Sequence, residues 1–384
     1  MPDYDVIVAG AGSAGVPTAM ALGAAGMKTL VVDRNPSPGQ GDNKHAIGGI
    51  RATHSDPAKI RVGLRSLEIF STWKETYGDD IEWLKGGYLY PVYRKTEEYA
   101  LKELLPIQRR FGLNIDFIGS GALKDIVPGI NPEGLMGGTF SPDDGSASPL
   151  LSTNAFTRKA VEYGVGFRFN EKIYELVVEK GRVTGIRTGK TIYRAPVVVD
   201  AAGAYSAVLC NGAGVRIPVT PDCHEGAITE PAARMFYCMV VDMRPAPGSK
   251  NYYFYQNVHG QIVFCITPDP PIIGTDTRET SVFLPQVAAR MVALIPRLQS
   301  LRARRVWRGR YPTSPDGSPI VGWSPEIEGL FHATGMCGQG FMMGPGIGEL
   351  AARMITGNVL DSDKDAVDQF SPGRSFGETC EKLE

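Results

Sequence analysis

Gly10, Gly12 and Gly15 stand in GxGxxG spacing within "VIVAGAGSAG", and an acid, Asp33, follows eighteen residues after the last of them. These residue types suit the holding of a dinucleotide. Gly10 permits a sharp turn out of a strand, Gly12 lets the backbone approach a pyrophosphate, and Gly15 lets the following helix pack tightly. The free amides and positive dipole end of a helix starting near Ser13 and Ala14 would face the phosphates. Asp33 would accept hydrogen bonds from an adenosine ribose, which favours NAD or FAD over NADP, and Arg34 stands beside it at the cofactor.

Two further stretches offer backbone amides with little side-chain bulk. One is "APVVVDAAGAYSAVLCNGAG" (195 to 214), with Ala202 and Gly203 at its turn; the other is "GLFHATGMCGQGFMMGPGIGELAARMITG" (329 to 357). A nucleotide site assembled from the N-terminus, the middle and the C-terminus suits FAD, whose ring system lies far from its adenine. Gly338, Gln339, Gly340, Phe341 and Met342 precede a helix. Their amides and its dipole could stabilise negative charge on the flavin ring.

The elements that must position these residues follow from hydrophobic patterning. Val6, Ile7 and Val8 form a β-branched run bounded by glycine, as in a buried parallel strand; "AMALGAAG" favours a helix and "KTLVVD" a second strand. The residues before the apolar run are Pro2, Asp3, Tyr4 and Asp5, which argues against a signal peptide. "DPAKIRVGLRSLEIFSTWKETYG" (56 to 78) reads as a long amphipathic helix. "GGYLYPVYR", "ARMFYCMVVDM" and "NYYFYQNVHGQIVFCIT" alternate like strands, the last with a hairpin at "NVHG". The expected class is α/β (α+β): a Rossmann-like FAD-binding domain plus a mainly antiparallel β-sheet substrate domain. The first would take residues 1–81, 143–215 and 307–384, the second 82–142 and 216–306.

Composition narrows the function. A formal net charge of −1 on 384 residues gives no electrostatic case for nucleic acid. The cluster "RLQSLRARRVWRGR" (297 to 310) reads as a solvated helix leading into a strand. No long uninterrupted apolar run suggests a membrane span. Six cysteines without CxxC pairing read as reduced thiols of a cytoplasmic protein, with no metal site. The polar tail from Asp361 is expected on the surface.

"VIVAGAGSAG", "GGIRATHSDPAKIRVGLRSLEIF", "VVVDAAGAYS" and "RGRYPTSPDGSPIVGWSPEIEGLFHATGMCGQGFMMGPGIGELAARMITG" together resemble the D-amino-acid oxidase-type flavoproteins. Within that group the chain looks most like glycine oxidase, monomeric sarcosine oxidase and the β-subunits of sarcosine oxidase and L-proline dehydrogenase. The resemblance implies FAD-dependent oxidation of a C–N bond in a small amino acid or secondary amine. A hydride passes from carbon to flavin N5, and the imine then hydrolyses. Substrate binding must place that C–H within about 3–3.5 Å of N5.

The resemblance also assigns residues. Gly49 and Ile50 would lie near the flavin ring, and Ile173 would offer backbone groups to adenine or simply fill a core strand. Arg51 and His54 would bring basic groups near the ring, with Arg51 equally readable as a structural ion-pair residue. Tyr252, Tyr253, Tyr255 and His259 alternate on a strand and its turn, so one set faces the site; Arg310 follows the Trp307 strand. His45 and His332 read as structural histidines. Where glycine oxidases carry a carboxylate-binding arginine in "GLRP", this chain has "GRYP" with Tyr311. No cysteine lies between 265 and 337, where monomeric sarcosine oxidases tether FAD, so non-covalent FAD is expected. No histidine lies between His54 and His224 to carry a second flavin. "HGQIVF" lacks the oxygen-activating lysine, which favours electron transfer to a partner protein or other acceptor over O2; further subunits or a homo-oligomer are compatible. The alternatives are a 2-hydroxy-acid dehydrogenase of the same fold and a non-catalytic electron-transfer subunit.

Overall fold

The computed structural model of the chain describes residues 3–377 together with Glu381 and Leu383. Its first strand, Val6–Ala9, has only apolar side chains and is buried throughout, so it takes the centre of a sheet covered on both faces. Val197–Asp200 flanks it on one side and Thr29–Val32 on the other, both parallel. Leu330–Thr334 and Gly166–Arg168 extend the parallel order, and Ile320–Trp323 closes one edge antiparallel. Strands from the N-terminus, the middle and the C-terminus thus sit side by side.

The second large sheet has eight strands. Its order is Ala303–Thr313, Thr220–Pro231, Gln261–Pro268, Ser249–Gln256, Met239–Asp242, Tyr88–Val92, Gly137–Ser141 and Asp116–Gly119. Every neighbouring pair is antiparallel except Met239–Asp242 with Tyr88–Val92. Side chains alternate across it as the pleat requires. Leu89, Val240, Phe254 and Phe264 pack into an apolar core with the helix Phe283–Leu294. Tyr88, Val241, Tyr253 and Cys265 point the other way. The strand Ala303–Thr313 runs through the expected 306/307 division as one edge of this sheet.

Local signals place the helices. Asp56 caps Pro57–Tyr77 by accepting from the Lys59 amide at 3.0 Å, Pro57 opens the first turn, and Gly78 ends the helix with φ +84°. The expected hairpin forms at Asn257–Gly260, where Asn257 Oδ1 accepts from the His259 and Gln261 amides. Two expectations are corrected. Residues 297–310 hold no α-helix: the helix ends at Leu294, Pro296 begins a single 3-10 turn, and a strand follows. The tail does not simply lie on the surface. Phe370 is buried, and Glu381 and Leu383 are buried too, because the carboxylate of Glu381 finds cationic partners inside. Cys380 lies outside the described residues. Among the described residues no helix is long and apolar enough to cross a membrane.

Candidate active site

Gly10 leaves its strand with φ +116°, and a Cβ there would lie 2.5 Å from the Ala201 carbonyl oxygen. The first turn therefore touches the second turn directly. The C-terminal helix Gly340–Thr356 joins them: a Cβ on Gly344 would meet the Ser13 carbonyl oxygen at 2.0 Å, and one on Gly348 the Pro17 backbone at 2.6 Å. Glycines four apart on that helix thus give it a flat face against the helix Gly15–Ala24. Both helices begin at the same place, so two positive dipole ends and their free amides converge there.

They converge on a cavity of about 930 Å³. Ligand pockets run from roughly 300 to 1,000 Å³, so this one has room for a large cofactor and a small substrate. Gly10, Gly12, Ser13, Ala14, Asp33, Arg34, Gly49, Ile173, Ala202 and Gly203 line it, as do Gly338, Gln339, Gly340, Phe341 and Met342. Cβ atoms on Gly12 and Gly203 would meet nothing within 4 Å, so these turns border open space where phosphates or ribityl oxygens would fit. Asp33 accepts from the Ala11 amide at 2.7 Å and from the Asn35 amide at 2.7 Å, which fixes it at the end of its strand. Asn43 Oδ1 and Gln339 Oε1, both on side chains that line the cavity, are buried acceptors without a partner among the described residues. Buried acceptors are ordinarily satisfied, and a ring N–H would satisfy one. The residues present fit FAD.

Gly15 and Ile50 stand one step behind the lining: a Gly15 Cβ would meet the Gly10 carbonyl oxygen at 2.0 Å, and Ile50 is buried opposite Gly145. Tyr255 is also behind it. Its hydroxyl donates to the Ile47 carbonyl at 2.8 Å and abuts Gly48, bracing the loop from below. His259 is elsewhere, exposed on the hairpin and paired with Glu82 at 2.7 Å. The hairpin turn carries it beyond the edge of the wall.

Arg310 lines the cavity, with Nε on Asp42 at 2.9 Å and a donated bond to the Tyr205 hydroxyl. The Arg34 guanidinium covers the Tyr205 ring at 3.9 Å. Burial pushes the Tyr205 phenol up, but the two flanking guanidinium groups outweigh it and hold it below its ordinary value. Arg51 lines the cavity beside Tyr88 and Tyr90, and it donates to the carbonyls of Thr53 and Leu383, the latter at 2.6 Å. His54 lies under that loop, fully buried, with Nδ1 3.1 Å from Glu381 Oε2. Burial and then the charge of Arg51 push His54 down to about 4. Glu381 also receives Lys59 at 3.4 Å. Burial pushes Asp144, which accepts from Ala52 and Thr53, up to about 6.

The eight-stranded sheet supplies the other wall: Tyr311, Asp222, His224, Cys265, Tyr253, Val241, Tyr88 and Tyr90 all line the cavity. Tyr252 faces away and bonds Asp242 at 2.9 Å. Asp222, His224 and the Tyr88–Tyr90 pair were not singled out from the sequence. Their signal was there as i, i+2 spacing in "PDCHEG" and "GYLYP", and Tyr205 stands two residues after Gly203. His332 is buried against Asp200 at 3.2 Å, and His45 lines the cavity.

A fold of this kind, with this floor, defines a class: the chain belongs to the FAD-dependent oxidoreductase family, whose model matches residues 5–354, and FAD is its cofactor. The crystal structure of L-proline dehydrogenase from P. horikoshii superposes with a TM-score of 0.90 at 30% identity, covering 97% of this chain and 98% of that one. FAD-dependent oxidoreductase domain-containing protein 1 of Xenopus laevis is 26% identical over 86% of this chain and 73% of its own length. The 4-methylaminobutanoate oxidase (formaldehyde-forming) of Paenarthrobacter nicotinovorans is 24% identical over 94% of this chain. The chain spans only 45% of that relative's length.

Proposed function

We propose that the chain oxidises the C–N bond of a small amino acid or secondary amine, of the sarcosine, glycine or proline kind, using FAD held non-covalently. One observation carries this reading: a floor of backbone amides faces a wall of tyrosine hydroxyls and the Arg51 cation across a single cavity. Bound FAD would take the hydride from the carbon next to nitrogen. The chain's own residues do the rest. The amides of Gly12, Ser13 and Ala14 would hold the pyrophosphate and Asp33 the adenosine ribose. The amides of Gly338 to Met342, at a helix N-terminus, would favour negative charge on the ring.

On the wall, the Arg51 charge would attract the carboxylate while the hydroxyls of Tyr88, Tyr90 and Tyr253 orient it. Thr53 and Leu383 take two of its five N–H groups. Closure by Arg310, Tyr205 and Arg34 would keep water from the cofactor's middle. Cys265 and Cys337 also line the cavity, and burial pushes both thiols up, away from the reactive thiolate that a covalent link requires. The five described cysteines are all free thiols, which supports a cytoplasmic home. Electrons would leave to an acceptor protein or to O2.

The test is anaerobic mixing of FAD-loaded protein with L-proline, sarcosine, glycine and a set of 2-hydroxy acids. Bleaching of the flavin by one of the amines is expected. A protein that takes up no FAD, or is bleached only by a hydroxy acid, overturns the reading. Peroxide formation in air then separates an oxidase from a dehydrogenase.

A further inference from the structure

An amine substrate arrives at neutral pH as an ammonium ion, and hydride can leave its carbon only when nitrogen has a free lone pair. Some group must take the proton. On the sheet wall, Asp222 and His224 stand two residues apart on Thr220–Pro231 and both line the cavity. His224 Nε2 lies 3.0 Å from Asp222 Oδ2, and Asp222 Oδ1 is fixed by the Ile272 amide at 2.8 Å. A carboxylate only accepts, so Nε2 carries a proton, and in the neutral ring Nδ1 is then the atom with the lone pair. Nδ1 is buried and has no partner among the described residues.

The plane of the ring is held. It stacks on Tyr311 with centroids 3.8 Å apart and planes 16° from parallel. Tyr311 is itself clamped: its hydroxyl bonds Tyr253 at 2.8 Å, and its edge lies where a Cβ on Gly338 would be, 2.3 Å away. Tyr311 thus touches both His224 and the glycine loop that borders the flavin site.

We propose that His224, oriented by Asp222, is the base that receives the ammonium proton of the substrate. This rests on the amine reading above. In the step, an N–H bond of the ammonium breaks and an Nδ1–H bond forms. The nitrogen keeps its electron pair, and the positive charge moves to an imidazolium facing the Asp222 carboxylate. The other ionisable side chains on this wall are less suited. Burial pushes the Tyr88, Tyr90, Tyr253 and Tyr311 phenols up, and it pushes the Cys265 thiol up to about 11, so all five keep their protons at neutral pH. Lys250 is exposed where it lines the cavity, and Arg310 on the adjoining strand turns to Asp42 and Tyr205. Burial pushes Asp222 up, but His224 and the Ile272 and Cys223 amides pull it below its ordinary value, so it stays an anion.

The experiment follows anaerobic flavin reduction by L-proline and sarcosine between pH 6 and 10 in FAD-loaded wild type, His224→Gln and Asp222→Asn. At pH 7 His224→Gln should slow reduction about 10²-fold, the usual worth of a positioned base. That deficit should shrink as pH rises through the amine's own ionisation. Asp222→Asn should shift the same way by a smaller factor. A second readout is the affinity for a non-reacting amino acid, seen as perturbation of the oxidised flavin spectrum. Its pH dependence should move in His224→Gln. A deficit that is constant across pH would mark a packing role and overturn the proposal, as would failure of both variants to take up FAD. Wild type that takes up FAD but is bleached by no amine would instead sink the amine reading.

Discussion

The cavity has two walls built on opposite terms. The floor is backbone: Gly10 meets the Ala201 carbonyl, and the helix that follows the 338–340 turn meets the Ser13 carbonyl and the Pro17 backbone through Gly344 and Gly348, so at these contacts no side chain fits. The sheet wall is side chain: tyrosines, a histidine, a cysteine and an aspartate drawn from several strands, each placed by strand alternation. A floor of amides can serve one ligand type, a phosphate-bearing nucleotide, whatever the substrate. A wall of side chains can be rewritten residue by residue. Such a division lets one fold keep its cofactor while its substrate changes.

The sharpest way to break the comparison is to put a side chain where the floor forbids one. In Gly344→Ala the new methyl would overlap the Ser13 carbonyl oxygen, a backbone atom that cannot rotate aside. A loss of about 3 kcal/mol is expected, with failure to retain FAD through gel filtration. Gly12→Ala is the control, because its Cβ meets no protein atom. It should fold at the wild-type midpoint and lose FAD affinity alone. Equal unfolding midpoints for Gly344→Ala and Gly12→Ala would show that the floor is not held by close approach.

A second effect of similar size belongs to the buried charges beneath the wall, and it is visible only against pH. His54, pushed down to about 4, stays neutral in the folded chain while the unfolded chain takes up a proton below 6.5. Its contribution is present above pH 6.5 and is lost as pH falls towards 4, about 3 kcal/mol in all. Asp144, pushed up to about 6, works in reverse. Its contribution is present below 3.8 and lost as pH rises through 6, again about 3 kcal/mol. The two nearly cancel between pH 6 and 4. Asp144→Asn removes one of them, so the variant should lose about 2 kcal/mol relative to wild type as pH drops from 7 to 4, measured by urea unfolding at each pH. Parallel curves for the two proteins would refute the opposition.

Legibility in the sequence divides along the same line. The floor was legible because glycine is chosen for what it lacks, and its spacing records each close approach: Gly10, Gly12 and Gly15 all stand at or directly behind the lining. The eight-stranded sheet was legible as alternation, but its strand order was not, since Met239–Asp242 pairs with the distant Tyr88–Val92. Without that order no one can tell which tyrosines share a cavity. Tyr253 and Tyr255 point to the same side of one strand, yet the Gly48 loop covers only Tyr255. His54 was placed near the ring by its loop, but its environment is set by Glu381, more than three hundred residues away. Long-range partners of that kind leave no trace in local spacing.

The smallest effects test whether the wall ends where the hairpin begins. Tyr253→Phe deletes one hydroxyl on the wall and its 2.8 Å bond to Tyr311. Hydrogen bonds of this type are worth about 1 kcal/mol net. FAD retention should be unchanged, while KM for the amine that bleaches the flavin should rise about fivefold, the ratio corresponding to that energy. His259→Ala, on the exposed side of the same hairpin, removes only a surface pair with Glu82. Exposed pairs contribute about 0–1 kcal/mol, so its KM, kcat and unfolding midpoint should match wild type within twofold or within about 0.5 kcal/mol. If His259→Ala moved KM more than Tyr253→Phe, the substrate would have to reach the hairpin tip, and the cavity would not be where the amine binds.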